Sequence, residues 1–523
     1  MSARDGSQQV HQRSVLGFQT NPTVFFVSAG AILALVVFGV AAPETAETVF
    51  AGIQDFIVAE LGWFYSIVVS GFLIFVLWIG LGRFGRIRLG PDDSRPDYSY
   101  VTWFAMLFSA GMGIGVLFWS VAEPLNHFAD PPYGSAETAE AARNAVNLTY
   151  LHWGLHGWGI YVVVGLSLAY MSYRRGLPMA MRSTLHPLLG DRVYGPVGHA
   201  VDIFAILGTM FGVATTLGLG AQQGAAGLEH LFAIDGGLTT QLWIIALATG
   251  AAIASVVSGL DRGIRRLSEI ALALGLAIFL YVLVFGETAY GLSSTVESIG
   301  FYIQHLPETA LRGTAFADSE WMGAWTFFYW GWWLAWSPFV GVFIARISRG
   351  RTVREFVLGV LLVPTTLVFV WYGVFGHMAM RRVLEDGDEN LLSTAVDDIP
   401  VAIFVFFEEF PFAFALSIVG LLVIAIYFVT SSDSASFVID MLASGGDPDP
   451  PTRSRVFWAT TEGLVGAMLL VAGGLEAMQM FQITTGLPLA VLLIAICVAL
   501  VSSLREDRRA TRTEPVDRRT GSP

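Results

Sequence analysis

Long apolar runs recur along the chain, separated by short polar connections. They lie near residues 24–42, 61–82, 101–122, 147–170, 200–228, 241–258, 268–291, 322–345, 355–376, 412–440, 456–473 and 481–503. Each is about 20 residues long, enough for a helix to cross a hydrocarbon core of roughly 30 Å. A spanning segment must satisfy its own backbone hydrogen bonds, which leaves helices or closed barrels. The runs are too long and too evenly apolar for barrel strands. The pattern therefore predicts an all-α integral membrane protein with twelve transmembrane helices. The segment 295–312 is only moderately apolar and contains Pro307, so it is expected to lie as an amphipathic helix along the outer surface. The first run follows a polar stretch and is too long for a cleavable signal, which makes it a retained anchor.

Charge orients these spans. The chain has no lysine, and all 29 of its basic residues are arginine. The N-terminus, every second connection and the tail hold 25 of them, from Arg4 and Arg13 through Arg83, Arg174, Arg262, Arg346 and Arg453. The intervening connections hold only Arg143, Arg312, Arg381 and Arg382. This bias places both termini in the cytoplasm, with the protein in the inner membrane. Residues 1–20 form a cytoplasmic segment, 21–503 the membrane domain and 504–523 an arginine-rich cytoplasmic tail that suits anionic lipid. The formal net charge of −13 argues against nucleic-acid partners. The single cysteine, Cys497, rules out an intrachain disulfide and a cysteine metal cluster.

Two spans break the rules of a membrane helix. The third carries Gly111, Gly113 and Gly115 within five residues, each weakening a helix by roughly 1 kcal/mol relative to alanine. Two readings fit: freed carbonyls facing a ligand, or close helix packing through small residues. The eighth carries Ser337-Pro338 inside its apolar run, five helices later. Residues 101–291 and 322–503 then form two five-helix halves, each opening with a broken helix, as in an inverted-repeat carrier. Aromatic residues crowd the same places. The fourth span reads HWGLHGWGIY at 152–161, where Trp153, Trp158 and Tyr161 fan over roughly 140° of the helix. The eighth reads FYWGWWLAW at 328–336, where Trp330, Trp332, Trp333 and Trp336 fan over roughly 160°. Each tryptophan alone suits an interfacial girdle. As a set beside a proline, they suit a cage for a quaternary ammonium, which has no N–H to donate and is held by aromatic faces.

The tenth span carries Thr430-Ser431-Ser432-Asp433-Ser434-Ala435-Ser436, a polar cluster in an apolar run. Hydroxyls can bond back to carbonyls of their own helix, yet so many beside a carboxylate fit a sodium site better. Thr209 and Thr216 share one face of the fifth span, with Val213 between them. His152 and His156 are spaced i, i+4, but no third metal ligand is evident, so packing histidines are favoured. No motif links them to Asp433 as an enzyme would require, and a tight cage suits a carrier rather than a channel.

Taken together, GMGIGVLFWSVAEP at 111–124, HWGLHGWGIY at 152–161, FYWGWWLAWSPFVG at 328–341, ARISRGRTVREF at 345–356 and YFVTSSDSAS at 427–436 resemble the betaine/choline/carnitine transporter family, over about residues 15–503. The resemblance implies a twelve-helix fold with a five-plus-five inverted-repeat, leucine-transporter-like core, and a homotrimer packed partly through the helix near 295–312. It implies that Trp153, Trp158, Tyr161 and Trp333 form the ammonium box beside Gly111, Gly113 and Gly115, with Trp332, Trp336, Trp330 and Phe328 along the route to the cytoplasm. For sodium it points to backbone at Ser109, Met112 and Tyr427 with the hydroxyls of Thr430 and Ser431. A second sodium site in similar carriers uses the place of Thr209, another threonine one turn later and an aromatic at Phe339; here that second threonine is Val213. Proton-coupled choline carriers often have an acidic residue where this chain has Gly115, and a neutral residue there leaves room for a zwitterion. The implied function is sodium-driven uptake of a compatible solute, glycine betaine first and ectoine next, with no cofactor beyond the coupling ion. Proton-coupled choline uptake and carnitine-type exchange are the alternatives among carriers.

Overall fold

The computed structural model describes residues 13–15, 18–111, 113–258, 261–316 and 318–513. A short antiparallel ribbon pairs Arg13–Val15 with Phe18–Thr20; every other regular element described is helical. The main helices are α1 (Pro22–Ala41), α2 (Pro43–Leu81), α3 (Tyr100–Gly111), α4 (Ile114–Trp119), α5 (Ala122–Ala129), α6 (Ala139–Trp153), α7 (Leu155–Ala169) and α8 (Pro196–Phe232). They continue with α9 (Leu238–Ser258), α10 (Asp261–Phe285), α11 (Thr288–Ala310), α12 (Phe328–Ile347), α13 (Val353–Arg381), α14 (Ala413–Ala443), α15 (Thr452–Val471) and α16 (Leu475–Thr513).

Among the described residues, ten helices are long and apolar enough to cross a membrane. Two of the twelve expected spans fall outside that set for visible reasons. The run 101–122 is divided between α3 and α4, because Gly113 is fully extended (φ −159°, ψ −176°) and ends the helical path. The run 456–473 is one helix, α15, but Arg455 and Glu462 within it lower its hydropathy. In the other direction, α2 starts 18 residues before the apolar run at 61–82. Its first half, PETAETVFAGIQDFIVAE, is rich in good helix formers and opens with proline at the first helical position. Its polar residues hide this half from a hydropathy reading. At 39 residues the helix is about 58 Å long, nearly twice the hydrocarbon thickness. The segment 295–312 falls mostly within α11, which begins seven residues earlier and keeps Pro307 inside its last turn.

The centre of the bundle is α12, packed against α7, α8 and α16. The expected interruption at Ser337-Pro338 is absent: α12 runs unbroken from Phe328 to Ile347. Pro338 cannot donate to the Leu334 carbonyl one turn earlier. The Ser337 hydroxyl donates to that carbonyl instead, at 2.7 Å, so the helix continues. The fourth span, expected as one helix, breaks as the third does, with Gly154 in a non-helical conformation between α6 and α7.

Both ends of the described chain lie on one face of the bundle. Thr20 Oγ1 donates to the Ala443 carbonyl at 2.9 Å, at the end of α14. Arg174, just beyond α7, pairs with Asp507 of α16 at 2.8 Å and with Asp92 at 2.7 Å. On the same face Arg182 and Asp202 form a buried ion pair. Cys497 is buried within α16.

Ser337→Ala leaves the Leu334 carbonyl without a donor, at a cost of about 1–3 kcal/mol. The expected result is a Tm lowered by a few degrees in detergent, with Ser337→Thr close to the parent; an unchanged Tm for the alanine variant would contradict this account of the proline.

Candidate functional site

A cavity of about 950 Å³ enters the bundle from the face that carries the chain ends. Its deep wall is aromatic: Trp153 from the end of α6, Trp158 and Tyr161 from α7, and Trp332, Trp333 and Trp336 from α12. The rings are in mutual contact. Tyr161 and Trp333 have centroids 4.7 Å apart, Trp158 and Tyr161 5.5 Å, Trp158 and Trp333 5.8 Å, and Trp153 and Trp333 6.2 Å. The break at Gly154 places Trp153 at a helix terminus, where the backbone can turn its ring toward α12. Gly113 and Gly115 border the same space. From another side, α14 contributes Tyr427, Thr430, Ser431 and Asp433. Toward the mouth stand Tyr173, Arg346, Phe437, Asp449 and Arg455.

The expected ion ligands are thus divided. Thr430 and Ser431 border the cavity, although the Thr430 hydroxyl also donates back to the carbonyls of Ile426 (3.0 Å) and Tyr427 (3.3 Å). Phe339 borders it beside Trp336, with centroids 5.2 Å apart. Thr209 does not reach it: its hydroxyl is buried in α8 with no hydrogen-bond partner among the described residues. One turn later Val213, also fully buried, offers only methyl groups. Ser109 and Gly111 lie in the last turn of α3, and Met112 lies outside the described residues. Two aromatics expected along the route stand behind the wall. Trp330 is fully buried against His156 (5.5 Å), and Phe328 stacks on the back of Trp332 (5.5 Å, interplanar 17°).

The chain matches the family model described as betaine/carnitine/choline family transporter over residues 23–509. It belongs to that family. An uncharacterized transporter of Mycobacterium tuberculosis is 46% identical over 519 residues, 98% of this chain and 87% of that one. The glycine betaine transporter 1 of Vibrio parahaemolyticus is 44% identical over 502 residues, covering 94% and 95% of the two chains. The glycine betaine transporter of Acinetobacter baylyi is 42% identical over 487 residues, 93% and 74%. The chain is therefore a transporter and not an enzyme.

The transporter's cage is held from behind by a group that the sequence reading passed over. Glu123, in α5, is fully buried. Its Oε1 accepts from His152 Nδ1 at 2.7 Å and from His127 Nε2 at 3.3 Å. Its Oε2 accepts from the indole N–H of Trp153 at 2.7 Å and from the Tyr329 hydroxyl. A buried carboxylate is tolerated when donors surround it, and here four converge. His152 extends the network: its Nε2 meets the Thr326 hydroxyl at 3.0 Å, and its carbonyl, exposed by the break at Gly154, accepts the Trp333 indole N–H at 2.8 Å. Two cage indoles are thereby fixed in orientation, while the N–H groups of Trp158, Trp332 and Trp336 have no partner among the described residues. Glu123, His127 and His152 also bring three metal-ligating atoms together. The 2.7 Å between Glu123 and His152 suits a hydrogen bond rather than two ligands on one ion, since bonds of about 2.1 Å in tetrahedral array set ligands roughly 3.4 Å apart. His156, the other half of the suspected histidine pair, faces Ser70 at 3.4 Å. The signal for Glu123 was in plain view: a carboxylate directly after the apolar run at 101–122 and within the motif at 111–124, where an intramembrane acid is a functional candidate by default.

Absent side chains shape the cage as much as rings do. A Cβ at Gly115 would lie 2.9 Å from both Trp153 and Trp332. A Cβ at Gly212 would lie 2.7 Å from Trp336, and one at Gly157 would overlap Trp333. Each ring sits in a notch left by a glycine. Gly115→Ala is therefore expected to weaken substrate binding about tenfold or more, read by tryptophan-fluorescence titration, while Gly113→Ala, which meets nothing within 4 Å, has a smaller effect. Glu123→Gln replaces an acceptor for four donors with a group that must itself donate. It is expected to lower uptake by more than tenfold and to lower Tm, with uptake counts and a melting curve as the checks.

Proposed function

We propose that this transporter takes up a compatible solute, glycine betaine first, by sodium symport with alternating access. The observation that carries the proposal is that the aromatic box and the Thr430–Ser431 hydroxyls border one cavity. Four ring faces supply cation–π attraction for a trimethylammonium head, which no hydrogen-bond donor can recognise. Hydroxyls, carbonyls and the nearby Asp433 supply hard oxygen atoms of the kind an alkali cation prefers. Solute and ion would thus be bound in one cavity, so that one conformational change can act on both. The neutral Gly115 leaves room for the carboxylate of a zwitterion, which favours betaine over choline; ectoine is the next candidate. The relatives named as glycine betaine transporters point the same way. Val213, with no oxygen beside Thr209, favours one sodium site over two.

In this reading α3 with α4, and α15, add two crossings to the ten, giving twelve. The core is then a five-plus-five inverted repeat, a reading that rests on the family resemblance, since α12 is unbroken. The arginine bias puts both termini, and hence the open end of the cavity, in the cytoplasm of a bacterial inner membrane. The amphipathic α11 is the proposed packing surface of a homotrimer, and the arginine-rich tail the contact for anionic lipid.

The test is uptake of radiolabelled glycine betaine into proteoliposomes with and without an inward sodium gradient, alongside Trp333→Ala. Uptake at least tenfold above the sodium-free level, collapsing in the variant, is expected. Uptake indifferent to sodium but stimulated by internal substrate would make the protein an exchanger.

A further inference from the structure

Behind the polar wall of the cavity, α14 and α15 bury more acid than base. Asp433, Asp440 and Glu462 are all buried at their interface. Arg455 answers Asp433 at 3.5 Å, and the Ser454 hydroxyl answers Asp440 at 2.5 Å. Glu462 is fully buried at the middle of α15. Its Oε2 accepts from the Ser432 hydroxyl at 2.9 Å, and its Oε1 has no hydrogen-bond partner among the described residues.

The neighbouring helices offer nothing to balance a charge there. α15 packs against α1, α8, α9, α14 and α16. α1 and α9 carry no titratable side chain. Those of α8 are His199 and Asp202 in its first two turns and Glu229 and His230 in its last. α16 carries Glu476 in its first turn, Cys497, and charges only from Arg505 onward. On α15 itself Arg455 stands two turns away and is turned to Asp433, with Arg453 beyond it. From α14 come Tyr427 at the cavity wall, Asp440 and Asp433, and Asp433 repels a negative Glu462. An ionised carboxylate with one hydroxyl for company is costly in such a place. A sodium ion would need several oxygen ligands, and among the described residues only the Ser432 hydroxyl bonds to this carboxylate. A proton needs none beyond the carboxyl oxygen itself.

We propose that Glu462 is a proton-binding site, and that its proton sets how tightly the neighbouring Thr430–Ser431 hydroxyls hold a cation. The proton comes from solvent by way of the cavity, whose wall carries Asp433, the residue next to Ser432, and it ends on the Glu462 carboxyl. Ser432 is also next to Ser431, so a negative charge on Glu462 draws a cation toward that hydroxyl, and its loss releases it. The second half of the proposal rests on the sodium-coupled reading; the first half does not.

Infrared difference spectroscopy on the purified full-length transporter in lipid tests the first half. A protonated buried carboxyl gives a carbonyl stretch apart from the amide bands. We expect this band in the parent at neutral pH, its shift in D₂O, and its absence in Glu462→Gln, which keeps the shape of the protonated acid. Ser432→Ala, which removes the one hydrogen bond, moves the band rather than abolishing it, and so serves even if the glutamine variant fails to fold. Identical spectra for parent and variants across the neutral range would overturn the site. Uptake tests the second half: the half-saturating sodium concentration should fall several-fold as pH rises in the parent and stay at its low-pH value in Glu462→Gln. A band without that difference overturns the linkage; a band in a protein whose uptake ignores sodium overturns the coupling reading and leaves the proton site standing.

Discussion

The substrate end of this molecule depends on one buried carboxylate. Glu123 gathers the indole of Trp153, the phenol of Tyr329 and the imidazoles of His127 and His152. These groups come from α5, α6 and α12, so a single negative charge ties three helices together. In a membrane protein apolar contact discriminates weakly, because lipid tails offer the same apolar surface. Directional bonds to a charge that cannot be left unpaired set the geometry instead. The same charge lies behind the box, on the side where the proposed ammonium group would add to the electrostatic balance rather than upset it.

The cavity then reads as two kinds of surface lining one space. One wall is soft and polarizable, made of rings held from behind by hydrogen bonds at Trp153 and Trp333 and, among the described residues, left without them at Trp332 and Trp336. The other is hard and oxygen-rich, from Tyr427 to Asp433 on α14. Recognition fixed in this way suits a carrier, which must hold its solute in one state and release it in another.

Much of this was legible in the sequence, and what was not failed for identifiable reasons. The apolar runs mark the helices, and α8 extends the run at 200–228 by only a few residues at each end. The box was legible because Trp153, Trp158, Tyr161 and Trp333 crowd two short motifs. The early start of α2 was hidden because its first half is helical by propensity and not by apolarity. The supposed break at Ser337-Pro338 failed because proline's effect depends on whether the orphaned carbonyl finds another donor, and Ser337 supplies one. Glu123 escaped because a carboxylate at the end of an apolar run looks like a loop residue until the fold brings three of its four donors from other helices. Glu462 escaped in the same way, as a charge near the start of a run read chiefly for its length.

The glycine notches carry a consequence for how such a site diversifies over evolutionary time. Where a ring already touches the backbone, as Trp153 and Trp332 do at Gly115 and Trp333 does at Gly157, no residue can be enlarged without expelling the ring. New specificities are then reached by shrinking: a tryptophan becoming tyrosine or phenylalanine opens space while its notch stays usable. The glycines act as fixed points in sequence drift and the aromatics as the variables, so divergence in substrate choice among related carriers should be recorded in the rings.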